Sequence, residues 1–275
     1  MSGRTGVAAG RSSVIVLTGD TLVATSDYTG KDVLRAHLRV CRAGRFAQSP
    51  TSPHHRYMSI WSALTGRAPA QVSPADALPG RTQPSFSPPA TNLVLKTPLL
   101  GPWPPGTEVL YVAMGCFWGA ERRLWRTPGV IGTAAGYMGG YTQFPTYEEV
   151  CTGRTGHTET VMVAYDPAVV STREVLAVFW ESHDPTQGMR QGNDIGTQYR
   201  SAIFFTTPEQ AEVIAETVRT YGAALAADGC GAITTEIAPA SDLTFFPAEA
   251  YHQQYLHTHP HGYDCHSTTG VRLPA

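Results

Sequence analysis

The sequence predicts an α+β fold, a two-layer arrangement with helices packed on one face of a sheet, and three observations carry that reading. The readable elements from residue 109 to 205 run strand, helix, strand, strand, helix, strand, the order of a ferredoxin-like α/β plait. The strand at 158–165 places Val161, Val163 and Tyr165 at period two. Helix starts are marked by Ser171-Thr172-Arg173-Glu174, a capping box, and by Thr207-Pro208, a cap followed by proline at the first helical position.

Taken in order, Val109 to Met114 is a continuous apolar run that reads as a buried strand, and a helix follows from about Trp118 to Arg126. A strand at 130–137 leads through a long Gly, Tyr and Pro loop to the strand at 158–165. The helix opened by Ser171 carries Val175, Leu176, Val178 and Phe179, and a strand spans 201–205. The longest helix starts at Thr207 and ends before Gly229. A strand at 233–237 and a short helix at 248–255 complete the list. The C-terminal tail, with Gly262, Ser267, Thr268, Thr269 and Gly270, has the composition of a mobile segment.

Before residue 73 the chain shows little periodicity, so the expected organisation is a low-order extension over 1–72 and one domain over 73–275. Gly, Ser, Thr, Ala and Arg dominate the first 56 residues, and 73–89 is rich in Pro and Ser. Such stretches bury too little apolar surface to offset their ordering entropy. Residues 31–42 are the exception, with the apolar spacing of a short helix. Residues 1–57 hold eight Lys or Arg against three Asp or Glu, while the whole chain carries a net charge of −2. With 42% hydrophobic and 15% charged residues in 275, the chain reads as an ordinary globular protein with no nucleic-acid or membrane partner. A monomer is expected. Five cysteines, odd in number and widely spaced, argue against a secreted disulfide framework and for a reducing, cytoplasmic setting.

Cys116 stands out. It lies between the strand ending at Met114 and the helix that follows, framed by Gly115 and Gly119 and followed by Phe117 and Trp118. A helix N-terminus favours the thiolate, the nucleophilic form of cysteine. An isolated cysteine after a strand is commonly core. Two flanking glycines, which let the backbone turn sharply and let a ligand approach, and two adjacent aromatics favour a catalytic role here.

The run Gly115-Cys116-Phe117-Trp118-Gly119-Ala120-Glu121 resembles the nucleophile motif of the class A peptide methionine sulfoxide reductases. The resemblance continues through Gly136 to Tyr141, Pro145 to Cys151, Thr155-Gly156-His157-Thr158-Glu159, Phe179 to Gly188, and Arg190-Gln191-Gly192-Asn193-Asp194. It then takes in Gln198 to Ile203, Tyr251-His252-Gln253-Gln254-Tyr255-Leu256 and Gly262-Tyr263-Asp264-Cys265-His266. Separate motifs in one order, covering roughly residues 75–275, are far more specific than any one of them. The segment from Met58 resembles the start of longer family members, which makes residues 1–57 an expected extension.

The family implies the same plait fold and an enzyme that reduces methionine-S-sulfoxide, in oxidised proteins or peptides and free, with no cofactor and no metal. Cys116 matches the nucleophile and Glu159 the catalytic acid, whose pKa burial must raise for it to donate a proton near neutral pH. Tyr147 and Tyr199 match the donors to the sulfoxide oxygen. Phe117 and Trp118 would wall the methyl pocket, and Asp194 would order the site. Attack leaves a sulfenic acid on Cys116, which condenses with a second thiol. The family supplies that thiol from the tail, and thioredoxin then reduces the disulfide. Cys265 is the match, although it follows Asp264 rather than Tyr263 directly, and no second tail cysteine stands near Val271-Arg272-Leu273. Cys151 is read as structural, Cys230 and Cys41 as incidental.

Two other classes compete. A hydrolase would pair Cys116 with His157 or His183, oriented by Asp184 or Asp194; it leaves Cys265 without a role. A metal-binding module would use His257, His259, His261, Cys265 and His266, but their spacing lacks a Cys-Xaa-Xaa-Cys element.

Overall fold

The computed structural model describes residues 69–264 and 267–275. Residues 1–68 of the expected 1–72 extension, Cys41 and Cys265 therefore lie outside the described residues. Strand β1 (Glu108–Met114) turns into helix α1 (Phe117–Trp125), and β2 (Val130–Met138) leads to the short helix α2 (Tyr147–Cys151). Then come β3 (Thr158–Tyr165), α3 (Thr172–Ser182) and the small hairpin of β4 (Arg190–Gln191) and β5 (Asp194–Ile195). A 3-10 turn at Thr197–Tyr199 precedes β6 (Ser201–Phe205) and α4 (Pro208–Ala227). The chain closes with β7 (Glu236–Pro239), β8 (Phe246–Pro247) and α5 (Tyr255–Thr258).

Six strands form one sheet in the order β7-β6-β1-β3-β2-β8, antiparallel except for the β6–β7 pair. Register follows the apolar residues. Val112 lies between Val161 and Ile203, and all three are fully buried in one cluster with Phe179, Trp180 and Leu124 from the helices. Burying each such side chain contributes about 1.5–3 kcal/mol. Helix α3 starts as its sequence dictates: the Ser171 side chain accepts from the Glu174 N–H while Glu174 reaches back to the Ser171 N–H.

The period-two reading of β3 captures only half of its environment, because all eight of its residues are buried. Val161, Val163 and Tyr165 face the helices, whereas Met162 packs on the other face with Leu99, Ala134 and Trp103. Irregular chain carrying Leu99 and Trp103 covers that second face. The expectation of poor order for residues 73–89 is corrected by the bonds these residues make. Arg81 grips Glu149 with both guanidinium nitrogens at 2.6 and 2.9 Å, and the Leu78 N–H donates to Arg154 O. Further on, fully buried Asn92 donates to Thr133 O at 2.9 Å and accepts the Val94 and Leu95 N–H groups.

Three other expectations are corrected. The last long strand lies at Glu236–Pro239, paired with β6, rather than at 233–237. The helix expected at 248–255 is split into a 3-10 turn at Ala250–His252 and α5, because Gln254 adopts a left-handed conformation, φ 49°, to bury its side chain. The tail, read from composition as mobile, is docked over residues 269–273: Val271 and Leu273 pack against the main core, Tyr221 bonds Thr269 and Val271, and Leu273 N–H donates to Glu181.

Candidate active site

Gly115 makes the corner that presents Cys116. Its φ of +89° suits glycine, and a Cβ there would lie 2.5 Å from the Gln191 Cβ, so no larger residue fits. Cys116 is the N-cap of α1, is 4% exposed, and makes no side-chain cap bond. Instead Glu159 reaches across from β3, and its Oε2 accepts the Phe117 backbone N–H at 3.0 Å. One of the unpaired N–H groups that every helix start leaves is thereby satisfied by a carboxyl from another strand.

Glu159 is buried at 2% exposure. Burial pushes its carboxyl well above the ordinary range, nearby Asp194 adds to the rise, and the Phe117 N–H opposes it. The balance keeps this carboxyl protonated where an exposed one is ionised.

Tyr147 opens α2, where the Thr146–Glu149 capping box and the Arg81 clamp fix the turn. Its N–H donates to Glu249 Oε1 at 2.9 Å, while Glu249 Oε2 takes the Tyr137 hydroxyl at 2.8 Å. Tyr199 is set by Thr158, whose hydroxyl bonds the carbonyls of Gln198 and Arg200 on either side of it. Burial above all raises both phenols, so each keeps its proton and remains a donor. Cys151 adjoins this group, and burial pushes its thiol up to about 12, the behaviour of an inert packing residue.

Phe117 is buried in the core cluster and Trp118 is half-buried beside it. Between them stands His252. Its ring centroid is 4.9 Å from Phe117, 5.7 Å from Trp118 and 4.4 Å from Tyr147, and Trp118 Nε1 donates to its Nδ1 at 3.0 Å. Burial lowers the imidazole to about 3, so it is neutral, and with Nδ1 accepting, the proton sits on Nε2. That Nε2 is buried without a hydrogen-bond partner among the described residues. Tyr255 stacks on Trp118 with ring centroids 3.9 Å apart. His252 and Tyr255 lie in the Tyr251–Leu256 motif, and neither has a role in the sequence reading. The signal was available, since a histidine beside tyrosine near the chain end has no periodic place in a core helix.

Asp194, buried on the small hairpin, accepts the Tyr263 hydroxyl at 3.0 Å. The histidines a hydrolase would need are committed elsewhere. His157 takes the Gly140 N–H on Nδ1 and pairs its Nε2 with Thr142 O, and burial lowers it to about 4. His183 pairs its two nitrogens with Phe179 O and Ser201 Oγ. Neither offers a nitrogen to take a thiol proton. Among the described residues no three His, Cys, Asp or Glu side chains are placed to hold a metal ion.

The family model described as peptide methionine sulfoxide reductase matches residues 108–273, a span that contains Cys116, Glu159 and both tyrosines. The chain belongs to that family. Relatives agree: a peptide methionine sulfoxide reductase MsrA of Streptomyces griseus is 55% identical over 211 residues, covering 77% of this chain and 95% of the relative. One from Rhodospirillum centenum is 58% identical over 212 residues, covering 76% and 94%. The solved methionine sulfoxide reductase A of Corynebacterium diphtheriae superposes with a TM-score of 0.66 at 49% identity, over 71% of this chain and 93% of that one. As a member of this family the chain is a methionine sulfoxide reductase that serves protein repair.

Proposed function

We propose that the protein reduces the S epimer of methionine sulfoxide, peptide-bound or free, through a sulfenic acid on Cys116. The Cys116 sulfur attacks the sulfoxide sulfur, Glu159 delivers the proton to the departing oxygen, and methionine leaves as Cys116 becomes S–OH. Tyr147 and Tyr199 hold the oxygen by O–H donation, Phe117 and Trp118 enclose the methyl, and Asp194 orders the surrounding loop. Cys265 then displaces water from the sulfenic acid to give a Cys116–Cys265 disulfide, which the thioredoxin dithiol reduces with two electrons. The observation that carries this reading is the buried Glu159 carboxyl bonded to the N–H of the residue after Cys116.

The epimer choice follows from a pocket that fixes the methyl, the oxygen and the line of attack at once. The strand order β6-β1-β3-β2, with α1 and α3 as crossover helices, supports the ferredoxin-like plait reading of the core. We further read residues 73–275 as the catalytic domain, the molecule as a monomer, and a reducing cytoplasm as the setting that keeps these thiols recyclable.

Thiol counting tests the chemistry. Reduced enzyme given excess methionine sulfoxide and no reductant should release methionine and lose two thiols, Cys265→Ser should lose one, and Cys116→Ser should release none. Turnover in Cys116→Ser, or no thiol loss in the wild type, would reject this mechanism.

A further inference from the structure

We propose that Asp264 is a positioning residue for disulfide closure: its carboxylate, gripped by Arg122 and Arg123, ties the tail to the helix that begins beside Cys116. The inference rests on the reading of Cys265 as the second thiol, and it concerns a residue at which this chain departs from the family pattern, where the cysteine directly follows the tyrosine.

Asp264 Oδ1 accepts from Arg123 Nη1 at 3.0 Å, and its Oδ2 pairs with Arg122 Nη2. Consecutive helical side chains diverge by about 100° around the axis, so two of them meet one carboxylate only if the tail lies across the helix. The arginine side chains are 22% and 27% exposed and the aspartate 21%, so the three charges are partly withdrawn from water. Arg123 is further aimed by its bond to Gly119 O at 2.9 Å. One residue earlier, Tyr263 donates to Asp194, whose charge is felt by Glu159. Residues 263 and 264 thus join the tail to two walls of the site. On the other side of 265 and 266, Ser267 accepts from Gln187 Nε2 at 3.2 Å.

The consequence is kinetic. Cys265 is the next residue in the sequence, so anchoring Asp264 raises the local concentration of its thiol at the site. In closure Cys116–S–OH and Cys265–SH become Cys116–S–S–Cys265 and water, with no external electrons. The attraction between Asp264 and the arginines does not touch the reacting atoms; it sets how often the thiol meets the sulfenic acid.

The test uses the full chain, N-acetyl-methionine sulfoxide and rapid quenching, reading thioether release and thiol loss separately. Asp264→Asn should release thioether at the wild-type rate and lose its second thiol about three- to tenfold more slowly, the scale of a partly buried charge pair. Raising salt from about 0.05 to 0.5 M should slow closure in the wild type and leave Asp264→Asn unchanged. Asp264→Arg should close more slowly still, and adding Arg122→Asp and Arg123→Asp should restore it. Wild-type closure in Asp264→Asn, or closure accelerated by salt, would overturn the positioning role. With Cys265→Ser losing one thiol, such a result removes the role of Asp264 alone. Two thiols lost in Cys265→Ser would remove the parent reading and this one together.

Discussion

The Glu159 carboxyl and the Phe117 backbone N–H are joined by a 3.0 Å hydrogen bond, so the acid is registered on the residue next to the nucleophile. Strand β3 supplies the carboxyl and helix α1 the sulfur, and the bond holds the two elements in fixed relation at the one place where their chemistry meets.

Substitution of Glu159 should therefore separate chemistry from structure. Glu159→Gln keeps an oxygen to accept the Phe117 N–H and should slow single-turnover methionine release by ~10²–10⁴ with little loss of stability. Glu159→Ala removes the acceptor as well and should cost a further ~1–3 kcal/mol in denaturant unfolding for the unpaired buried N–H. Because burial raises the Glu159 pKa, the active, protonated form persists above the ordinary carboxylate range and is lost as pH rises through the raised value. That alkaline limb should vanish in the Gln variant, and its survival there would assign the proton to another group.

His252 should act through Trp118. His252→Phe keeps an aromatic surface between Phe117 and Tyr147 but removes the acceptor for Trp118 Nε1 and the buried Nε2–H. Loss of that bond frees the Trp118 ring, so KM for the sulfoxide should rise about fivefold or more, the scale of one neutral hydrogen bond of about 1 kcal/mol. Trp118 fluorescence should broaden. Unchanged KM would leave His252 as packing.

Glu121 should make stability depend on pH. It is fully buried, accepts from Thr133 Oγ1 and from both the N–H and Nε2 of Gln254, and burial still raises its pKa to about 7. The native state then binds more protons than the unfolded chain between about pH 4.5 and 7. Its contribution is complete below the lower value and is lost as pH rises through the upper one, on the order of 3 kcal/mol across the window. Urea midpoints measured across that window should fall with pH in the wild type and flatten in Glu121→Gln.

Truncation should have a sharp boundary. Outside 31–42, residues 1–57 lack the apolar periodicity of a core element, and deleting them should change stability by less than about 0.5 kcal/mol. Deleting through residue 103 removes Leu99 and Trp103 from the second face of the sheet, uncovering Met162 and Ala134, and takes Asn92 away from Thr133. That variant should be insoluble or lack a cooperative melt, and a stable product would show that the irregular cover is dispensable.

Local signals were legible because they are local. The apolar run before Cys116, the capping box at Ser171 and the Thr207-Pro208 start each specify their element through neighbours within four residues, and β1, α3 and α4 fall where those signals place them. The sequence by itself determined the core strands, the nucleophile's corner and, through motifs in a fixed order, the family. What only the tertiary structure decided were the relations between distant residues. No periodicity in 73–103 reveals that this chain covers the sheet, since its apolar residues act singly against partners such as Gly132 and Met162. Nor could sequence raise the pKa of Glu159, place His252 against Trp118 or carry Asp264 to Arg122 and Arg123. Burial and long-range contact exist only once the chain has folded, and the chemistry of this site depends on both.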